Sequence, residues 1–136
     1  NGTRLICVDH WNGSADSLAA RYEAELDRFD VEAEFRGNMS ALGIQVEVLR
    51  EPSLVAAGRF ARAPVNRVFL DGSHDGESVR LDLEAWYATL AEDGRLAGHD
   101  YDHKHPELVL AVDTFASEQG LEVRRGPRSI FWLEAR

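Results

Sequence analysis

Residues Val68 to Tyr101 read VFLDGSHDGESVRLDLEAWYATLAEDGRLAGHDY. An apolar run, Val68-Phe69-Leu70, stops abruptly at Asp71-Gly72. An amphipathic segment follows, with Val79, Leu83, Trp86, Tyr87 and Leu90 at helical spacing. Gly94 is placed to end that helix, and a second short run, Leu96-Ala97, stops at His99-Asp100. Two parallel strands joined by a helix finish on the same rim of a sheet, and α/β folds bind ligands in the crevice outside that rim. Asp71 and His74 after one strand, and His99 and Asp100 after the next, therefore mark the expected working edge.

Upstream, Leu5-Ile6-Cys7-Val8 is a continuous apolar run within Arg4–Val8, the pattern of a strand buried on both faces. It stops at Asp9, before the turn His10-Trp11-Asn12-Gly13-Ser14. Ser14 can cap a helix carrying Leu18, Tyr22, Leu26 and Phe29 on one face. Phe35, Met39 and Leu42 mark a second helical stretch, continuous with the first or broken from it near Asp30, and Gly43 is placed to end it. Ile44 to Arg50 alternates, as a strand near a sheet edge does. Pro52-Ser53 opens a short helix that ends at Ala63-Pro64, and Arg67–Leu70 reads as a central strand.

Downstream, Pro106 suits the first turn of a helix whose buried stripe is Leu108, Val112, Phe115 and Ala116. Gly120 ends it. The strands Leu121–Arg125 and Ser129–Glu134 are joined by Gly126-Pro127-Arg128, a loop short enough only for an antiparallel pair. Strands alternating with helices before a terminal hairpin imply one α/β domain over residues 1–136, its sheet mostly parallel with one antiparallel member.

The chain has 136 residues and a formal charge of −9, which argues against binding a nucleic-acid backbone, since that needs clustered Lys and Arg. Cys7 is the only cysteine, so no intrachain disulfide can form. In its apolar run Cys7 reads as a buried structural thiol. No stretch approaches the roughly 20 apolar residues of a membrane span, and no signal peptide is visible, so the default expectation is a cytoplasmic protein without membrane partners. The chain starts at Asn rather than Met, which raises processing or truncation.

FLDGSH, DLEAW and DGRLAGHDY together resemble the class I S-adenosylmethionine-dependent methyltransferases, in the branch called methyltransferase domain 24. VDHWNGS, EFRGNMSALGI and the Ser53 region look like the same branch. The resemblance covers essentially the whole chain. It implies a Rossmann-like three-layer α/β sandwich and methyl transfer from S-adenosylmethionine to an oxygen or nitrogen of a small-molecule substrate. Asp9 would accept hydrogen bonds from the cofactor ribose, Ser53 would lie near the adenine, and Asp71 would border the cofactor; Trp11, in a turn at the ligand rim, could stack on a ring of the cofactor. Asp71, His99 and Asp100 resemble the metal set of catechol-type O-methyltransferases, which implies Mg²⁺ or another divalent ion, the histidine favouring a transition metal. His74 falls where those enzymes carry the base, and an imidazole suits that task. His103 and His105 make the adjoining loop histidine-rich.

Each site also has a plainer reading. Asp9, Asp71 and Asp100 can cap turns and helices, Ser53 can be a helix N-cap, and His74 can be a solvated loop residue. Trp86 and Trp132 fall on apolar stripes and read as core.

The chain departs from the family at its start. The family's first strand and glycine-rich loop would precede residue 1, and where the family carries Gly-Gly this chain has Asp93-Gly94. The missing strand would lie between the strands ending at Asp9 and Asp71, leaving each with unpaired backbone groups that are costly to bury. Either Leu5–Val8 pairs directly with Val68–Leu70, or a segment of another chain, as in a homodimer, closes the gap. Direct pairing would erase the cofactor crevice, and the chain alone would then bind S-adenosylmethionine weakly or not at all. The rival expectation is a non-catalytic relic or interaction module that kept the fold and lost the cofactor.

Overall fold

A computed structural model describes residues 3–12 and 30–135. The helix expected over Leu18 to Phe29 lies outside the described residues. The chain divides into two compact units, residues 1–56 and 57–136. In the first, β1 (Leu5–Val8) and β2 (Val46–Leu49) form a parallel pair, in register from Leu5 opposite Val46 to Val8 opposite Leu49. Between them runs α1 (Val31–Ala41). It begins after Asp30, whose carboxylate accepts the Ala33 N–H at 3.0 Å, so a helix starts here rather than continuing through. Gly43 has φ +68° and donates to the Ser40 carbonyl, while Ile44 donates to Met39. Those two bonds close the helix with the left-handed glycine cap that its position had suggested.

The second unit holds a four-stranded sheet. β3 (Val65–Leu70) runs parallel to β4 (Leu90–Gly98), and β6 (Phe131–Ala135) is antiparallel both to β4 and to β5 (Leu121–Arg125), giving the order β3-β4-β6-β5. Helix α2 (Ser53–Arg59) precedes β3. Helices α3 (Gly76–Tyr87) and α4 (Pro106–Glu118) pack on each other and on the sheet. Asp75 caps α3 through the Ser78 N–H at 2.9 Å, and Pro106 occupies the first turn of α4. Leu83, Trp86, Leu96, Val112, Phe115, Phe131 and Leu133 are buried and make the core. Burying one such side chain contributes roughly 1.5–3 kcal/mol, so this unit has the material of a stable domain.

Four expectations are corrected. Leu5 is 44% exposed and the rest of β1 is half-buried, so β1 is not covered on both faces. β3 is the outer strand of its sheet rather than a central one, and Phe69 is 55% exposed. Gly94 does not end α3, which stops at Tyr87 with Ala88 as its cap. It lies within β4, where the ladder steps from Val65 opposite Leu90 to Arg67 opposite Arg95. The surplus residues fold into a bulge so tight that a Cβ on Gly94 would meet the Ala91 carbonyl oxygen at 2.8 Å. Ser53, finally, is the first residue of α2 and not its cap, because the Pro52 carbonyl already accepts the Ala56 N–H.

Direct pairing of Leu5–Val8 with Val68–Leu70 is in neither ladder: among the described residues β1 pairs with β2 and β3 with β4. No helix among the described residues is long and apolar enough to cross a membrane.

Candidate active site

Asp71 follows the last residue of β3 and Asp100 stands two residues beyond β4. Because those strands are parallel, both acids lie at the carboxyl end of the sheet, as the sequence implied. Gly98 allows the strands to close there. A Cβ at that position would stand 2.6 Å from the Phe131 ring and 2.8 Å from the Leu70 carbonyl, so no other residue fits without displacing one of them. The next N–H, of His99, donates to the Leu70 carbonyl at 3.0 Å. Tyr101 then fixes the far side: its N–H donates to Ser129, its hydroxyl donates to Asp113, and the Arg125 guanidinium sits 4.7 Å over its ring. Burial and the bond to Asp113 push the Tyr101 phenol up from its ordinary pKa.

Between those anchors Asp100 adopts φ 58°, a left-handed conformation that few residues other than glycine take. Its carboxylate meets three imidazoles. His74 Nε2 lies 3.0 Å from Oδ2, His99 Nδ1 3.2 Å from Oδ1, and His105 Nε2 3.9 Å from Oδ1. Burial alone would raise the Asp100 pKa. The hydrogen bond with His74 and the charges of His99, His74 and His105 outweigh it and hold the carboxyl below its ordinary value.

Asp71 is more exposed and reaches His99 Nδ1 at 3.6 Å. The other nitrogen of His99, Nε2, faces the Ser129 hydroxyl at 3.5 Å. His74 stands in the turn before α3, and its ring stacks on His105 with centroids 4.1 Å apart. Asp75, beside it, is held below the usual carboxylate range first by the Ser73 hydroxyl and then by Ser78. Leu70, Val79, Leu108 and Phe131 form the apolar side of a small open cleft, and Asp71, Ser73, His74, His99 and Asp100 line its polar side. An apolar cleft with a few convergent polar groups is the common form of a small-molecule site.

The structure thus brings together Asp71, His74, His99 and Asp100. The ligand atoms of Asp71, His99 and Asp100 lie within 4.8 Å of one another, as a shared cation would require. Sequence reasoning missed Ser129 as the partner of His99, and it left His105 as an unassigned member of a histidine-rich loop. The only local signal for His105 was its place directly before Pro106.

The remaining candidates belong to the first unit. Asp9 is exposed, and its Oδ1 accepts the Trp11 N–H at 2.6 Å, the turn-capping arrangement. Trp11 has φ 61° and packs on Phe35 with centroids 5.3 Å apart, and its buried indole Nε1 has no hydrogen-bond partner among the described residues. Cys7 is half-buried rather than buried, and burial, followed by the charge of Asp9, pushes its thiol up. It remains an unreactive thiol near neutral pH. Trp86 is core, as expected, whereas Trp132 is only half-buried.

A family model described as a methyltransferase domain matches residues 1–101. Among solved structures, a Corynebacterium glutamicum protein shares 18% identity and a TM-score of 0.61, over 98% of this chain and 62% of its own. The O-methyltransferase NovP shares 22% identity and a TM-score of 0.60, over 98% of this chain and 60% of that one. A Streptococcus mutans protein in complex with SAH shares 13% identity and a TM-score of 0.59, over 96% of this chain and 88% of that one. At these identities the likeness is one of fold. The chain spans about three fifths of the length of the first two structures. No curated protein sequence matches it.

Proposed function

We propose, for a chain that belongs to the methyltransferase domain family, that it transfers a methyl group from S-adenosylmethionine to a hydroxyl of a small molecule. The observation that carries this reading is the pair His74 and Asp100. An imidazole held by a carboxylate at 3.0 Å, over an apolar cleft at the ligand-binding edge of the sheet, is equipped to take a proton from an acceptor. That NovP is an O-methyltransferase and that the Streptococcus mutans protein holds SAH support an oxygen acceptor and this cofactor.

S-adenosylmethionine supplies an electrophilic methyl group, so the protein's task is alignment and proton removal. Asp9 fits the cofactor: one carboxylate oxygen is engaged by the Trp11 N–H, and its exposed carboxylate can accept from a ribose hydroxyl. The buried, unsatisfied indole nitrogen of Trp11 suits a donor waiting for a ligand acceptor. Ser53, at the start of α2, and Asp71 complete the residues assigned to the cofactor. At the rim, Asp100 orients His74, and His74 receives the proton of the acceptor hydroxyl. Asp71, His99 and Asp100 offer two carboxylates and one imidazole, a donor set that fits a divalent cation. Such a cation would lower the pKa of an acceptor hydroxyl bound to it.

Transfer of a labelled methyl group from S-adenosylmethionine to catechol or sugar hydroxyls tests the reading. His74→Ala should lower the rate by about 10²–10⁴-fold, the usual contribution of a general base, with affinity for S-adenosylhomocysteine unchanged. Transfer at the unaltered rate in His74→Ala would remove the assigned base.

A further inference from the structure

The geometry points to a second cation set at the rim: we infer that His74, Asp100 and His105 form a two-histidine, one-carboxylate site for a transition-metal ion such as Zn²⁺, Co²⁺ or Fe²⁺. This inference goes beyond the proposed function and shares His74 and Asp100 with it: with an ion bound the two are ligands, and without it they are the base and the carboxylate that orients it. The three donors come from three separate segments, the turn before α3, the end of β4 and the start of α4, and their ligand atoms lie within 4.8 Å of one another. His74 Nε2 to Asp100 Oδ2 is 3.0 Å and His105 Nε2 to Asp100 Oδ1 is 3.9 Å. Ligands bound to one zinc at about 2.0–2.2 Å stand roughly 3–3.5 Å apart, so small turns of the side chains bring the set to bonding geometry.

One feature of the backbone favours this assembly over a chance meeting of polar groups. His105 occupies the N-cap of α4 yet makes no side-chain capping bond. Residues at that position usually spend their side chain on the helix, whereas this ring stacks on His74 instead. The turn that carries it is closed by Asp102 N–H to the Asp100 carbonyl at 2.8 Å and His105 N–H to the Asp102 carbonyl at 3.2 Å. These bonds fold His105 back toward Asp100.

The chemistry of the donors sets the class of ion. Two neutral imidazoles and one carboxylate, with positions left for water or a ligand, suit borderline transition metals. Mg²⁺ prefers oxygen throughout and is matched better by Asp71 with Asp100. The two sets share Asp100, so one ion in each would be bridged by a single carboxylate. Binding at the new set displaces the proton between His74 and Asp100 into solvent.

The test is titration of the metal-free chain with Co²⁺, read by its visible absorption, with Zn²⁺ as competitor. One Co²⁺ per chain should bind, Zn²⁺ should displace it, and Mg²⁺ in large excess should not. His105→Ala should weaken binding by at least about tenfold, and Asp71→Asn should leave it within about twofold, because Asp71 lies outside the set. His105→Gln, which keeps a polar side chain at the turn, gives the same reading should the alanine variant fold poorly. Titration with S-adenosylhomocysteine in parallel should be unchanged by His105→Ala, which separates this site from the cofactor. Absence of a Co²⁺ spectrum would overturn the inference. So would an affinity unchanged from the unaltered chain in both His105 variants, or a loss on Asp71→Asn as large as that on His105→Ala.

Discussion

β3 and β4 are hydrogen-bonded neighbours with similar apolar runs, Val68-Phe69-Leu70 and Leu96-Ala97, yet they differ sharply in burial. Leu96 is 1% exposed on a strand that also pairs with β6, whereas Phe69 is 55% exposed on a strand that, among the described residues, pairs with β4 alone. The acids that follow them differ in the same sense. Asp100 is ringed by three imidazoles, and Asp71, more open to solvent, reaches only His99 among the described ion pairs. An apolar run therefore states what a strand is suited to, and its neighbours determine whether it is buried. The same dependence places the held, chemically committed acid on the strand with partners on both sides.

The largest expected effect separates the two strands directly. Leu96→Ala should cost about 2–5 kcal/mol of unfolding free energy, whereas Phe69→Ala should cost less than about 1 kcal/mol, since little is buried to lose. Urea denaturation of both variants measures the difference. Equal losses would show that β3 is covered in solution by something that β4 does not contact.

Gly98→Ala should come next, at about 1–3 kcal/mol, because its Cβ must displace the Phe131 ring or the Leu70 carbonyl. The same urea series reads it. A neutral result would mean that the two strands do not close at the rim as described.

A smaller effect concerns acid stability. The folded Asp100 carboxyl lies below its ordinary value, so it binds a proton less readily than in the unfolded chain. Its contribution is fully present above the unfolded value of about 3.9 and is lost as pH falls through the lower folded value. Melting temperatures followed from pH 6 downward, a range of about this size being needed to span the transition, should therefore fall less steeply in Asp100→Asn than in the unaltered protein. Parallel curves would show that the imidazoles do not hold this carboxylate. The smallest effect is expected at the open edge, where Phe69→Thr should change stability by no more than about 0.5 kcal/mol, as exposed positions generally do.

Much of this architecture was legible because its signals are local. Pro106 in the first turn of a helix, Gly43 and Gly120 at helix ends, and the alternation of strand and helix from Val68 to Asp100 each need only neighbouring residues to be read. Asp71, His74, His99 and Asp100 could be grouped because parallel strands joined by a helix must end on one rim. What escaped depended on residues distant in sequence. The Gly94 bulge exists because β4 has more residues than β3 can pair, and the glycine that seemed to end α3 instead relieves that mismatch. The exposure of β1 and β3 depends on which strands flank them, and hydropathy is blind to that. Ser129 reaches His99 from a hairpin thirty positions away, and His105 meets His74 only because α3 and α4 pack together.

The central claim is that this chain holds S-adenosylmethionine for methyl transfer, and calorimetric titration with S-adenosylhomocysteine tests it most directly. The account predicts saturable heat with one site per chain, weakened at least about tenfold by Asp9→Ala, the loss expected when a buried or charged acceptor is removed from a bound hydroxyl. A folded protein that gives no saturable heat would contradict it and leave a non-catalytic module built on the same fold.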